Sequence, residues 1–173
     1  MHAVCDVLEQ LLKEGTLTHY AIGGATAAGF HGEPLATRDV DVFVFSDPPQ
    51  GAVLVTLEPL FARLSDLGFS QFEEEGLLIH GFPVQFLSAS SALETEAIKS
   101  ALLLQWDDHR VRVMRPEHLA ALALTVGRPK DRARLVYLAE LPAFNRALFD
   151  EISSRYQLSD RWQQWSAALG LKS

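Results

Sequence analysis

The sequence holds one cysteine, Cys5, among 173 residues. A lone thiol cannot close an internal disulfide, and no cysteine-based zinc set can be built around it. Nothing near Cys5 in sequence would lower its pKa, so a catalytic thiol is not expected there. No apolar run approaches the roughly 20 residues that a helix needs to span a bilayer. Residues 1–14 also lack the basic start and continuous apolar block of a signal peptide. The expectation is a soluble, cytoplasmic protein with no membrane partner. Cations are scarce: 15 Lys and Arg stand against 22 Asp and Glu, a formal net charge of −7. That balance argues against broad, nonspecific nucleic-acid binding. The nearest approach to a basic patch is Arg128, Lys130, Arg132 and Arg134. There is no internal repeat, no low-complexity stretch, and no proline- or glycine-rich linker. What the chain does have is apolar residues, 48% of the total, enough for a sizeable core.

The apolar spacing predicts an amphipathic helix over 2–14, with Val4, Val7, Leu8, Leu11 and Leu12 on one side and Gly15 ending it. Residues 18–22 read as a short strand running into Gly23-Gly24, followed by a short helix over 25–30. Pro34 breaks the chain. Asp39 to Phe45 is the clearest strand, with Val40, Val42 and Val44 alternating against Asp39, Asp41, Phe43 and Phe45. A loop over 46–51 leads to a helix over 53–67. Strands are expected over 69–74 and 77–80, joined by a turn at Glu75-Gly76, and over 82–87. Ser88 to Ser91 offer N-caps for a helix reaching about Leu103. A strand over 111–114 precedes a helix from Pro116 to near Gly127, then helices over 129–140, 144–155 and 159–169. The class is therefore α/β (α+β), a small mixed β-sheet with helices. Residues 1–115 form the α/β core, and residues 116–173 form a helical segment packed on it as a single compact unit.

Residues two apart in a strand project to one face, so Asp39 and Asp41 point together. Two neighbouring carboxylates repel each other and are costly to bury, and a divalent cation removes that penalty. Oxygen ligands of this kind suit Mg²⁺ or Mn²⁺. The plain alternative is a solvent-exposed face. Gly23-Gly24 closes one strand and opens a helix, where backbone N–H groups can approach a phosphate, or the pair is only a tight turn. Thr37 and Arg38 lie just before the carboxylates, and Arg38 can pair with phosphate or with a nearby acid. Arg128 and Lys130 sit where one helix ends and the next begins, able to reach phosphates or to serve the helix ends. His31 is placed to face a cleft. Trp162 and Trp165 read as core.

Taken together, Ala21-Ile22-Gly23-Gly24-Ala25, Thr37 to Phe43, Pro83-Val84-Gln85-Phe86-Leu87, Pro116-Glu117-His118-Leu119 and Gly127 to Arg132 resemble the nucleotidyltransferase superfamily with the DNA polymerase β-like fold. The likeness is nearest to small bacterial members of the AbiEii type. It implies transfer of a nucleotidyl group from an NTP to an unknown acceptor, whether a small molecule, a protein or an RNA. Asp39 and Asp41 would be the catalytic metal ligands, and Mg²⁺ or Mn²⁺ the cofactor. Gly23, Gly24, Thr37, Arg38, Arg128 and Lys130 would be the nucleotide-binding residues.

The chain departs from that pattern in its second half. Members usually carry a third carboxylate on a later strand, where this sequence has Gln85, a very poor general base. The run Leu119 to Leu124 is apolar where many relatives have a lysine, and Arg134 stands where an acid is often found. Glu73-Glu74-Glu75 could supply a substitute carboxylate, or form a solvated hairpin end. Two other readings follow. One is a catalytically inactive module that binds nucleotide or a partner protein. The other is the toxin of a toxin–antitoxin pair, with a cognate antitoxin or a homo-oligomer as partner.

Overall fold

The computed structural model describes residues 1–33, 37–45 and 56–171. The break at Pro34, the loop over 46–51 and the first residues of the helix expected from 53 lie outside the described residues. Among the described residues the order is α1 (His2–Lys13), β1 (His19–Ile22), α2 (Gly24–Phe30), β2 (Val40–Phe45), α3 (Glu58–Asp66), β3 (Phe72–Glu73), β4 (Gly76–Ile79), β5 (Phe82–Ser88), α4 (Ala92–Lys99), β6 (Leu102–Trp106), β7 (His109–Val113), α5 (Pro116–Val126), α6 (Pro129–Ala139), α7 (Arg146–Arg155) and α8 (Ser159–Leu169).

The strands form one mixed sheet in the order β3-β4-β5-β2-β1-β7-β6. β1 runs antiparallel to β2 and parallel to β7, while β2 runs parallel to β5. The two central strands owe their place to composition. β1 buries Tyr20, Ala21 and Ile22, and β2 buries Val40, Val42 and Val44 while Asp41 and Phe43 face the other way at intermediate exposure. α1 meets the sheet beside β7, burying the stripe Val4, Cys5, Val7, Leu8 and Leu11. α5 is apolar nearly all round and packs against α2, α4, α6 and α7. α8 turns Trp162 and Trp165 inward, and both are buried. None of the helices is long and apolar enough to cross a membrane among the described residues.

Two elements differ from the spacing-based expectation. The helix expected from about 92 to 103 stops at Lys99, and Leu102–Trp106 is a strand paired antiparallel with β7. Ser91 caps that helix through a reciprocal exchange with Glu94, as its composition suggested. The strand expected over 69–74 is reduced to Phe72–Glu73, and a left-handed Glu74 (φ 54°) turns the chain into β4.

Candidate functional site

The site begins at the end of β1. The Gly23 amide donates to the Asp41 carbonyl at 2.8 Å, locking the β1–α2 corner onto β2. Gly24 adopts φ +57°, a conformation that L side chains resist. A Cβ on Gly24 would stand 1.8 Å from Asp41 Oδ2, and one on Gly23 would stand 2.5 Å from the Phe43 ring. The glycine pair therefore has a structural reason beyond a turn. It lets the Asp41 carboxylate and the Phe43 ring lie against bare backbone.

Asp41 and Asp39 line one cleft of about 360 Å³. Asp39 precedes the first paired residue of β2 and is exposed, with its carbonyl accepting from Thr26 Oγ1 at 2.8 Å and from Thr37 Oγ1 at 3.3 Å. No hydrogen bond or ion pair reaches the Asp41 carboxylate among the described residues. Burial pushes its pKa up and the Asp39 charge adds to that, while Lys130, Arg134 and Arg128 pull it down with smaller effect.

Those three cations form the opposite lip. Gly127 ends α5 in the left-handed conformation, φ 79°, and Pro129 starts α6 two residues later. The buried Asp131 carboxylate then accepts from the Arg128 amide at 3.0 Å, from Arg128 Nε at 2.8 Å and from Arg128 Nη2 at 3.2 Å. Burial pushes Asp131 up, but these bonds and the Arg128 charge outweigh it, and its pKa ends below the usual value. Lys130 and Arg134, one helical turn apart, both line the cleft. Arg134 is held from behind by Glu33 at 3.2 Å. Replacing Asp131 by alanine removes the cap of α6 and the anchor of Arg128. The expected loss is about 1–2 kcal/mol, read as a lower urea midpoint at unchanged slope.

The parallel register sets Gln85 opposite Asp41. Gln85 Nε2 donates to Glu75 Oε2 at 2.7 Å, so the acidic hairpin end does reach the site. Glu73, Glu74 and Glu75 remain exposed, as a solvated turn would. Beyond the polar floor, Leu119, Leu122, Ala123 and Val126 of α5 supply an apolar wall, with Phe43 and Leu87 below.

The site residues read from the sequence are thus partly brought together. Gly24, Thr37, Asp39, Asp41, Arg128 and Lys130 share the cleft, and Gly23 supports it from beneath. Arg38 lies on another face of Asp39, paired with Glu73 at 3.2 Å. His31 does not face the cleft; its Nε2 bonds the Met114 carbonyl at 2.8 Å. Arg134 went unread as a cleft cation, although its four-residue spacing from Lys130 was the available signal.

Two carboxylates and an amide suit a hard divalent cation, with water and phosphate completing its coordination. No group of three or more His, Cys, Asp or Glu that could hold a metal ion is present among the described residues. Asp39, Asp41 and Oε1 of Gln85, which has no partner among the described residues, are the donors that fit.

Two solved structures share the architecture. An antigenic nucleotidyltransferase-like protein from Paracoccidioides brasiliensis is similar over 92% of this chain and 90% of its own, at 19% identity and a TM-score of 0.56. The antibiotic-resistance factor ANT(2'')-Ia is similar over 98% of this chain and 99% of its own, at 13% identity and a TM-score of 0.50. No family model matches the chain, and no curated protein matches it. At these identities the likeness is one of architecture: the chain has a nucleotidyltransferase-like fold.

Proposed function

We propose that the chain is a metal-dependent nucleotidyltransferase that moves a nucleotidyl group from an NTP to an acceptor hydroxyl. The observation that carries the reading is the half-buried Asp41 carboxylate, unpaired among the described residues, set beside Asp39 and facing three cations across one cleft. Asp39 and Asp41 would hold Mg²⁺ or Mn²⁺. Bound there, the cation would offset the charge on the attacking and leaving oxygens. Lys130, Arg128 and Arg134 would hold the triphosphate, and the α5 wall would shield the nucleoside from water. In the transfer, the acceptor oxygen bonds to the α-phosphorus, the bond from that phosphorus to the bridging oxygen breaks, and pyrophosphate leaves. Gln85 cannot take the hydroxyl proton. Glu75, which accepts from the Gln85 amide at 2.7 Å, would take it.

Calorimetry of ATP with and without Mg²⁺ tests the reading. Binding should require Mg²⁺, and Lys130→Ala should weaken it about tenfold, roughly 1.4 kcal/mol. No nucleotide affinity in the intact protein would sink the proposal.

One observation favours a second reading. With an amide at position 85 directly opposite Asp41, the fold could bind nucleotide without transferring it. Label transfer from a radioactive NTP to any acceptor in a lysate excludes that reading. A toxin role of the AbiEii type has its own readout, growth arrest on expression.

A further inference from the structure

Asp39 lines a second cavity on the side away from Lys130 and Arg134. This cavity holds about 350 Å³ and is lined by Thr26, Gly29, Phe30, Asp39, Phe82 and Trp106, among others. Its volume lies in the range of small-molecule sites. Its chemistry is opposite to that of the cleft. Phe30 and Trp106 meet edge to face, 5.1 Å between centroids at 90°, and Phe82 keeps 38% of its surface exposed. The cationic groups on its lining are Arg38, paired with Glu73 at the surface, and the Met1 ammonium, whose pKa burial lowers. The aromatic walls favour a flat apolar body. Exposed Gly29 of α2 is part of the lining, and a Cβ there would meet no heavy atom within 4 Å.

The cleft already has both parts a nucleotide needs, cations for phosphate and an apolar wall for the nucleoside. We infer that the second cavity takes the acceptor, and that the acceptor is a small aromatic compound carrying a hydroxyl, placed with that hydroxyl at Asp39. The inference rests on the nucleotidyltransferase reading, since Asp39 is where the two ligands meet. A nucleic-acid acceptor fits less well. It would need unpaired cations along the approach, and the chain is acidic overall.

The probe is 2-naphthol, titrated by calorimetry into the full chain in the presence and absence of Mg²⁺ and ATP. Saturable binding is expected, with ATP and naphthol bound together. Gly29→Leu puts a bulky side chain on the cavity's lining and should weaken naphthol at least about tenfold while leaving Mg²⁺–ATP affinity unchanged. Gly29→Ala, which adds only a methyl in open space and favours helix, controls for folding and should retain naphthol. Several outcomes overturn the inference: no saturable naphthol binding, equal affinity in Gly29→Leu, competition between ATP and naphthol, or displacement of naphthol by a single-stranded RNA oligonucleotide. Naphthol binding blocked by Gly29→Leu in a protein that never binds Mg²⁺–ATP overturns the nucleotidyltransferase reading instead. The cavity then stands as a site for aromatic compounds alone.

Discussion

Asp41→Asn should make the metal-free protein more stable and should abolish Mg²⁺-dependent nucleotide binding. Both effects come from one side chain. Asp41 is a half-buried carboxylate that no hydrogen bond or ion pair satisfies among the described residues, beside a second carboxylate. Asparagine keeps the shape and removes the charge, so the chelator-treated variant should gain about 0.5–2 kcal/mol. The same change removes a ligand from the proposed cation site, and nucleotide affinity should fall about a hundredfold or more. The sign of the pH dependence follows. Burial and Asp39 raise the folded-state pKa of Asp41 above its ordinary 3.8. Its contribution is therefore fully present below that ordinary value and lost as pH rises through the raised one. The stability gap between variant and metal-free wild type should be widest near neutrality and should close as pH falls through the acid range. Urea denaturation at several pH values, with calorimetry of Mg²⁺–ATP, checks both halves. A variant less stable than the wild type at neutral pH would show that Asp41 is already compensated within the fold.

Gly24→Ala should cost binding as fully as Asp41→Asn does, but with stability moving the other way. Alanine at φ +57° pays about 1–2 kcal/mol for the left-handed conformation alone. The new methyl would also stand 1.8 Å from Asp41 Oδ2 and 3.2 Å from Asp41 Cβ, so the carboxylate must swing away. Because that carboxylate is the free end of a side chain, the chain can still fold. The expected result is a folded protein with a lower melting point and no measurable Mg²⁺–ATP affinity. Unchanged affinity would mean that nucleotide binds without Asp41 in this position. The opposite stability shifts of Gly24→Ala and Asp41→Asn separate loss of the ligand from loss of its seat.

Much of the frame was legible because periodicity carries it. The alternation of Val40, Val42 and Val44 marked β2, and period two placed Asp39 and Asp41 on the same side. Gly127 and Pro129 marked the α5–α6 junction within a residue. Where reading failed, contacts that periodicity does not carry decided the outcome. The apolar run from Ala101 to Leu104 continues a helix as readily as it makes a strand. Pairing of Leu102–Trp106 with His109–Val113, through the two-residue turn at Asp107-Asp108, selects the strand. The glycine pair was read as a phosphate approach or a tight turn. Its close neighbours are inward, at Asp41 and Phe43, and only three-dimensional proximity reveals them. Arg134 was read as a missing acid, because its position on α6 relative to the cleft depends on how that helix docks.

The cleft shared by β2 and the first turns of α6 also has a consequence for assembly. The carboxylates at 39 and 41 and the cations at 128, 130 and 134 come from opposite ends of the chain, with Gln85 between them. The cleft therefore cannot exist until the central strands have paired and the α5–α6 junction has closed on them. These are long-range contacts, which form slowly because distant segments must meet before either is rewarded. A ligand that needs both lips gains nothing from a half-folded chain. It should bind only after the last of these segments arrives, and so it draws the folding equilibrium toward the finished molecule.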